Sequence, residues 1–317
     1  MTGATGFVGR HLVRHLQIQG RSFRILARRD VPGVDTVLGD LTHPASLVAA
    51  TAGMDTVVHC AGFAHAHSGV QGELDIRHRD VNLQGTLALA RAAAEAGVRR
   101  FVFCSSVKAV ADPGERCVDE SFADRPLTAY GRAKREAEEG LAAISLECGL
   151  EVVNLRLAVV FGPGSRGNVE RMCALVRCGL FPPLPETGNH RSMVHVDDVV
   201  AALMLATDTA RAAGQTYFVA HPEALSGRGL YVAMCEAIGR RAAAWSIPEG
   251  MLRLSASAAD QLQAALGRRL PFGSQVVSSL LDSAWFDATR IQQELGWQPR
   301  LGMVQGLRTL LQDERRN

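Results

Sequence analysis

Tyr130 and Lys134 stand at i and i+4 in Tyr130-Gly131-Arg132-Ala133-Lys134. That spacing puts a phenol and an amine one turn apart on one helix face. Upstream, the apolar run Arg100–Cys104 ends in Ser105-Ser106. Ser106, Tyr130 and Lys134 form a candidate catalytic set. A phenol at its reference pKa near ~10 is a poor base at neutral pH, and a nearby ammonium favours its phenolate. A serine hydroxyl beside them could hydrogen-bond a carbonyl oxygen as charge develops on it. The bland alternative is a solvated helix face and a strand-end serine bonded to backbone.

A second chemical feature opens the chain. Thr2-Gly3-Ala4-Thr5-Gly6-Phe7-Val8-Gly9 spaces Gly3, Gly6 and Gly9 as GxxGxxG and runs into an apolar helix. Glycines let the backbone approach a pyrophosphate, and the helix N-terminus then offers free N–H groups and a favourable dipole. Either pattern alone is weak. Together they indicate a dinucleotide site with an acid/base pair.

Those residues need elements to hold them. Strands are expected at Ser22–Ala27, Thr36–Asp40, Asp55–Ala61, Arg100–Cys104, Glu151–Leu157 and Thr216–Ala220, with helices at Pro44–Ala52 and Asp80–Ala96. Pro126 argues against helix before the Tyr-Lys segment, and Thr128 can cap the helix that carries it. Alternating strands and helices predict an α/β fold with a doubly wound parallel sheet of the Rossmann type. A dinucleotide turn should follow a strand, yet Met1 stands where that strand's last residue belongs. The first strand is therefore expected upstream of residue 1, and the N-terminus of the native protein would show it.

After Phe161-Gly162-Pro163-Gly164 the alternation becomes irregular, with a helix at Asn168–Cys178, a Pro- and Gly-rich loop at Gly179–Asn189 and a helix at Asp197–Ala206. Further helices are expected at Leu230–Ile238, Met251–Leu266, Ala288–Leu295 and Met303–Gln312. The division expected is a dinucleotide-binding domain of 1–165 and 193–220, and a smaller, discontinuous substrate lobe of 166–192 and 221–317.

The 317 residues are 47% hydrophobic with a net charge of +2, so no nucleic-acid field is implied. No apolar run of ~20 residues suggests membrane insertion. Seven cysteines without paired spacing read as reduced thiols of a cytoplasmic protein. His65 and His67 form an H-x-H without a convincing third ligand, so no metal is expected. Leu184-Pro185-Glu186-Thr187-Gly188 spells a sorting pentapeptide by coincidence, without the membrane segment and basic tail such a signal requires.

In order along nearly the whole chain, the glycine turn, Asp40-Leu41, Asp80-Val81-Asn82, Ser105-Ser106, Tyr130–Lys134, Phe161–Gly164, Arg191 through Val194-His195-Val196 to Asp197-Asp198, and Leu295–Pro299 resemble the extended short-chain dehydrogenase/reductases. The likeness is to the nucleotide-sugar epimerases and reductases, and Cys104–Lys108 is most similar to a branch acting at carbon 4 of UDP-N-acetylhexosamines. It implies cofactor contacts at Gly3, Gly6, Phe7, Gly9, Arg28, Asp40, Leu41, Ala61, Tyr130 and Lys134. It implies substrate contacts at Ser106, Asn168 and Arg191, with Arg191 clamping a diphosphate and Arg268 or Arg269 as a weaker second clamp. It also implies that Asn82 steadies the neighbouring active-site strand, and a homodimer through helices 80–96 and 128–147.

At the end of the second strand stands Ala27-Arg28-Arg29 rather than the acid that binds a ribose 2′-hydroxyl. Two guanidiniums could pair a 2′-phosphate, which favours NADP over NAD, although Asp30 is close. Relatives that eliminate water carry Asp-Glu after the active-site Ser or Thr; Val107-Lys108 supplies neither. The reaction expected first is reduction of a UDP-4-keto-6-deoxy-N-acetylhexosamine in surface-polysaccharide synthesis. The alternatives are UDP-glucose or UDP-N-acetylglucosamine 4-epimerisation and, from another class, a non-catalytic dinucleotide-binding protein. Ala109-Val110-Ala111 departs from the Val-Asn-Gly or Val-Tyr-Gly usual there, which leaves the sugar open.

Overall fold

The structure is a computed structural model and describes residues 1–63, 71–165, 167–266 and 273–313. Its main sheet is wholly parallel. Strands Thr56–His59, Arg100–Ser106, Glu151–Leu157 and Thr216–Val219 lie side by side in that order. Ile25–Ala27 and Thr36–Leu38 pair with each other. Thr2 joins the two groups, pairing with Leu26 on one side and His59 on the other. Its N–H donates to the Val58 carbonyl at 3.0 Å, and Leu26 N–H donates to the Met1 carbonyl at 2.9 Å. Residues 1–2 thus hold the central position that the glycine turn requires.

Both faces of this sheet are covered, as a parallel sheet demands. Along Arg100–Ser106 the side chains alternate. Phe101 and Phe103 pack with Leu89, Ala133 and Leu141 on one face. Val102 and Cys104 pack with Leu12, Val199, Leu203 and Trp297 on the other. A third core, including Val169, Met172, Leu184, Leu230, Leu252, Leu281 and Leu307, gathers the later helices. Leu184 is only 2% exposed, so the sorting-like pentapeptide begins in packed structure.

Arg100 is buried at the start of its strand, where an apolar residue would be expected. It pairs with Glu151 at 2.7 Å and donates to the carbonyls of Ala206, Thr207 and Thr209, closing the end of helix Val196–Asp208. A buried charge persists only with such partners.

Most expected elements are present, with shifted ends. Asp80–Ala96 is not one regular helix. It opens with a wide π-helical turn at His78–Gln84 and continues as an α-helix at Gly85–Glu95, preceded by a helix at Gln71–Arg77 that periodicity did not reveal. Gly85 allows this turn to sit close: a Cβ there would meet Leu41 Cβ at 2.8 Å. The pairs Val159–Phe161 with Met193–His195 and Cys117–Val118 with Trp285–Phe286 were also not foreseen. Strands of two or three residues are too short to show a period. Among the described residues no helix is long and apolar enough to cross a membrane.

Candidate active site

The glycine turn packs against the end of strand Thr56–His59. Gly3 has φ +73°, and a Cβ on it would meet Ala61 N and Cys60 C at 2.6 Å. At Gly9 a Cβ would lie 1.9 Å from the Gly3 carbonyl oxygen. Helix Phe7–Ile18 has no side-chain cap at Gly6 and no acid in its first turn, leaving its N-terminus suited to an anion. Gly9→Ala is expected to push the helix off the turn. NAD binding should weaken as the phosphate-facing turn is displaced, and titration of NAD into the folded variant measures the loss.

A cavity of about 510 Å³ opens over this turn. Gly3, Gly6, Arg28, Asp40, Leu41 and Ala61 line it together, and Cys60, Gly62, Phe63 and Arg77 line it as well. Gly9 acts from beneath through packing. Phe7 is half-buried, its ring 5.6 Å edge-on from His11. Arg28 and Arg29 are exposed and line an adjoining pocket with Thr5 and Asp30. The shape and the uncapped helix fit a dinucleotide.

A buried network behind the turn was legible only in part. His59 Nδ1 lies 2.6 Å from Thr2 Oγ1, and Nε2 lies 3.0 Å from Thr86 Oγ1. Thr86 donates its hydroxyl to the Asn82 carbonyl, so it accepts from His59 Nε2–H. His59 Nδ1 therefore accepts from Thr2, whose oxygen accepts the Ala61 N–H. The Asn82 side chain clamps the Phe63 backbone at both N–H and C=O, at 2.7 and 2.8 Å. It thus holds the loop after Thr56–His59.

Burial, with a contribution from Lys134, lowers the pKa of His59 from 6.5 to about 3. The unfolded chain therefore binds the extra proton between those values. This contribution to stability is complete above pH 6.5 and shrinks as pH falls, by roughly 2 kcal/mol at pH 5. Urea unfolding between pH 7 and 5 should show it, with a smaller slope in His59→Gln.

Helix Ala129–Cys148 carries both Tyr130 and Lys134. Thr128 caps it, its Oγ1 accepting the Gly131 N–H at 3.1 Å. Gly131 lets the loop after Ser106 approach, since a Cβ would stand 2.3 Å from the Lys108 carbonyl oxygen. Ser106, the last residue of its strand, is a hydrogen-bond partner of the Tyr130 hydroxyl and accepts the Lys108 N–H at 3.2 Å. The His78 ring stands 5.5 Å from that of Tyr130.

Lys134 is buried. Its ammonium donates to the Cys104 carbonyl at 2.8 Å and lies 4.4 Å from the centre of the Phe103 ring. Burial lowers its pKa to about 8. Desolvation raises the Tyr130 pKa, the Ser106 hydrogen bond opposes the rise, and Cys104 adds to it. Tyr130 is therefore set up in this state as a proton donor.

Arg191 is half-buried, donates to the Asp282 carbonyl at 3.0 Å and is influenced by Asp112, which pairs with Lys108 beyond Ser106. Asn168 is exposed at the start of its helix. His65, His67, Arg268 and Arg269 lie outside the described residues.

A parallel sheet, a glycine turn on its central strand position and a Ser-Tyr-Lys set beyond the next strand define a dinucleotide-dependent enzyme of the short-chain dehydrogenase/reductase type. The chain belongs to the NAD dependent epimerase/dehydratase family, whose model matches residues 1–220. It is 30% identical to the UDP-glucose 4-epimerase of Vibrio cholerae, over 98% of this chain and 94% of that protein. It is 27% identical to the N-acetyl-alpha-D-glucosaminyl-diphospho-ditrans,octacis-undecaprenol 4-epimerase of Escherichia coli O157:H7, over 99% and 94%. MoeE5, solved with UDP-glucose and NAD, superposes with a TM-score of 0.75 at 26% identity, covering 99% of this chain and 97% of that one.

Proposed function

We propose that this protein interconverts the C4 epimers of a UDP-hexose or UDP-N-acetylhexosamine. The observation that carries the reading is the placement of Ser106, Tyr130 and Lys134 beyond the strand next to the dinucleotide cradle. Likeness to two 4-epimerases along nearly the whole chain puts epimerisation ahead of the net 4-keto reduction weighed first from sequence. In this reading residues 1–165 with 193–220 hold the cofactor, and 166–192 with 221–317 hold the sugar nucleotide.

A dinucleotide bound in the cradle supplies an acceptor and donor of hydride for the sugar carbon. The chain supplies position and proton. Ser106 hydrogen-bonds the oxygen at C4 and stabilises charge developing there. Tyr130 gives that oxygen a proton as the alcohol forms and takes it back as the ketone forms. Lys134 holds the strand through the Cys104 carbonyl and offers the ribose of the cofactor a cation. Arg191 pairs the sugar diphosphate, for which a planar guanidinium is suited. Asn168, exposed at the start of its helix, contacts the sugar nucleotide in this reading. A homodimer through the helices within 80–96 and 128–147 completes the reading, and the mass of the protein in solution tests it.

The second reading, reduction of a UDP-4-keto-6-deoxy sugar with NADPH, is favoured by Arg28 and Arg29. Both are exposed at the end of Ile25–Ala27, where a 2′-phosphate would approach. The purified protein should be incubated with UDP-glucose and UDP-N-acetylglucosamine, without a reductant, and the C4 epimers separated. Interconversion supports epimerisation. Oxidation of NADPH only with a 4-keto sugar, and loss of preference for NADPH in Arg28→Ala, would establish the reductase. Cofactor binding with neither activity would mean a non-catalytic binder.

A further inference from the structure

Two thiols that the proposed reaction does not use meet at the floor of the cradle. His59 is opposite Phe103 in the strand pairing, so Cys60 and Cys104 stand side by side one residue further on. Neighbouring strands run ~4.8 Å apart, within the ~4.4–6.8 Å between Cα atoms that a disulfide spans. The sulfurs are 3.3 Å apart, with the Cys104 thiol donating to the Cys60 sulfur. Their access differs. Cys60 is half-buried and lines the cavity, whereas Cys104 is buried. The contact with Cys60, and then burial, push the Cys104 thiol up. The Lys134 ammonium, which both sulfurs influence, stands close by. The arrangement divides the roles into an accessible attacking sulfur and a protected resolving one.

We propose that Cys60 and Cys104 are an oxidation site of the cradle, closed to a disulfide by a hydroperoxide when no dinucleotide is bound and shielded when one is. The Cys60 thiolate attacks one oxygen of hydrogen peroxide. The O–O bond breaks, Cys60 becomes a sulfenic acid and hydroxide leaves, taking up a proton as water. The Cys104 sulfur then attacks the Cys60 sulfur. The S–S bond forms, the S–O bond breaks, and the Cys104 proton departs with that oxygen as a second water. Two thiols are oxidised and one peroxide is reduced; a dithiol reductant reverses the change.

Closure shortens the sulfur separation from 3.3 Å to a bond of ~2.05 Å. Little slack absorbs it. The Gly3 backbone packs on Cys60 and Ala61, and the Cys104 carbonyl holds Lys134. The disulfide therefore disturbs the cradle, and linkage requires that bound dinucleotide oppose the disulfide by the same factor.

The shielding rests on the assignment of the cradle to a dinucleotide, so binding is measured independently. Full-length protein stripped of nucleotide is treated with hydrogen peroxide, with and without saturating NAD. Free thiols are alkylated, peptides are identified by mass spectrometry, and NAD affinity is measured by calorimetry before and after. The expected result is a Cys60–Cys104 linked peptide in the stripped protein, removed by dithiothreitol and strongly reduced in yield by NAD. The oxidised protein should bind NAD roughly ten- to a hundredfold more weakly. Cys104→Ser should stop at a Cys60 sulfenic acid that dimedone traps. Alkylation of both thiols after peroxide, an equal yield with NAD bound, or unchanged affinity after closure would each overturn the inference. Failure of reduced protein to bind NAD would sink the cradle assignment and the shielding, while the linked peptide would still decide whether the dithiol closes.

Discussion

Tyr130→Phe is expected to lower turnover by roughly 10²–10⁴-fold, the usual worth of a positioned acid/base group. NAD affinity should stay nearly unchanged. The phenyl ring fills the same space beside His78, and only the hydroxyl that meets Ser106 is lost. The comparison is between kcat, from C4 epimer formation, and Kd for NAD, from calorimetry. A fall in kcat with KM little changed would mean an interaction made in the transition state. Full activity in Tyr130→Phe would remove the phenol from the chemistry and leave Ser106 or a bound water as proton carrier. Equal loss of NAD binding would assign Tyr130 to the cradle instead.

Glu138→Ala is expected to destabilise the fold by about 3–5 kcal/mol, the cost of leaving a buried charge without its partner. Glu138 stands one turn beyond Lys134 on the same helix. Its carboxylate accepts Arg156 Nη2 at 2.7 Å, with both side chains 6% exposed, and accepts the Ser105 hydroxyl at 2.6 Å. Arg156 also lies 5.6 Å over the Phe218 ring. The network thus fastens helix Ala129–Cys148 to strands Arg100–Ser106 and Glu151–Leu157. Urea unfolding reads the loss. The double change Glu138→Leu with Arg156→Leu should recover much of it, because an apolar pair needs no counter-charge. A single variant as stable as the parent would show that water enters the site and solvates Arg156.

Ser105 and Ser106 show how adjacent residues of one type diverge. In the parallel strand successive side chains face opposite ways. Ser105 turns inward to Glu138, and Ser106 reaches Tyr130. The preference for Ser106 followed from counting positions to the strand end. Nothing local to Ser105 shows that its partner lies 33 residues away.

Local residue patterns were enough to place the parallel sheet, the glycine turn, the Thr128 cap and the Tyr130–Lys134 spacing. Each is a local rule: a run of apolar residues, a steric demand for glycine, a side-chain oxygen before a helix, a period of 3.6. Long-range packing set where charges and polar groups go once buried. It turned Lys134 to the Cys104 carbonyl, kept Tyr130 protonated, wired His59 between Thr2 and Thr86, and set the sulfurs of Cys60 and Cys104 in contact. These outcomes depend on desolvation and on partners distant in the chain, for which neighbouring residues carry no signal.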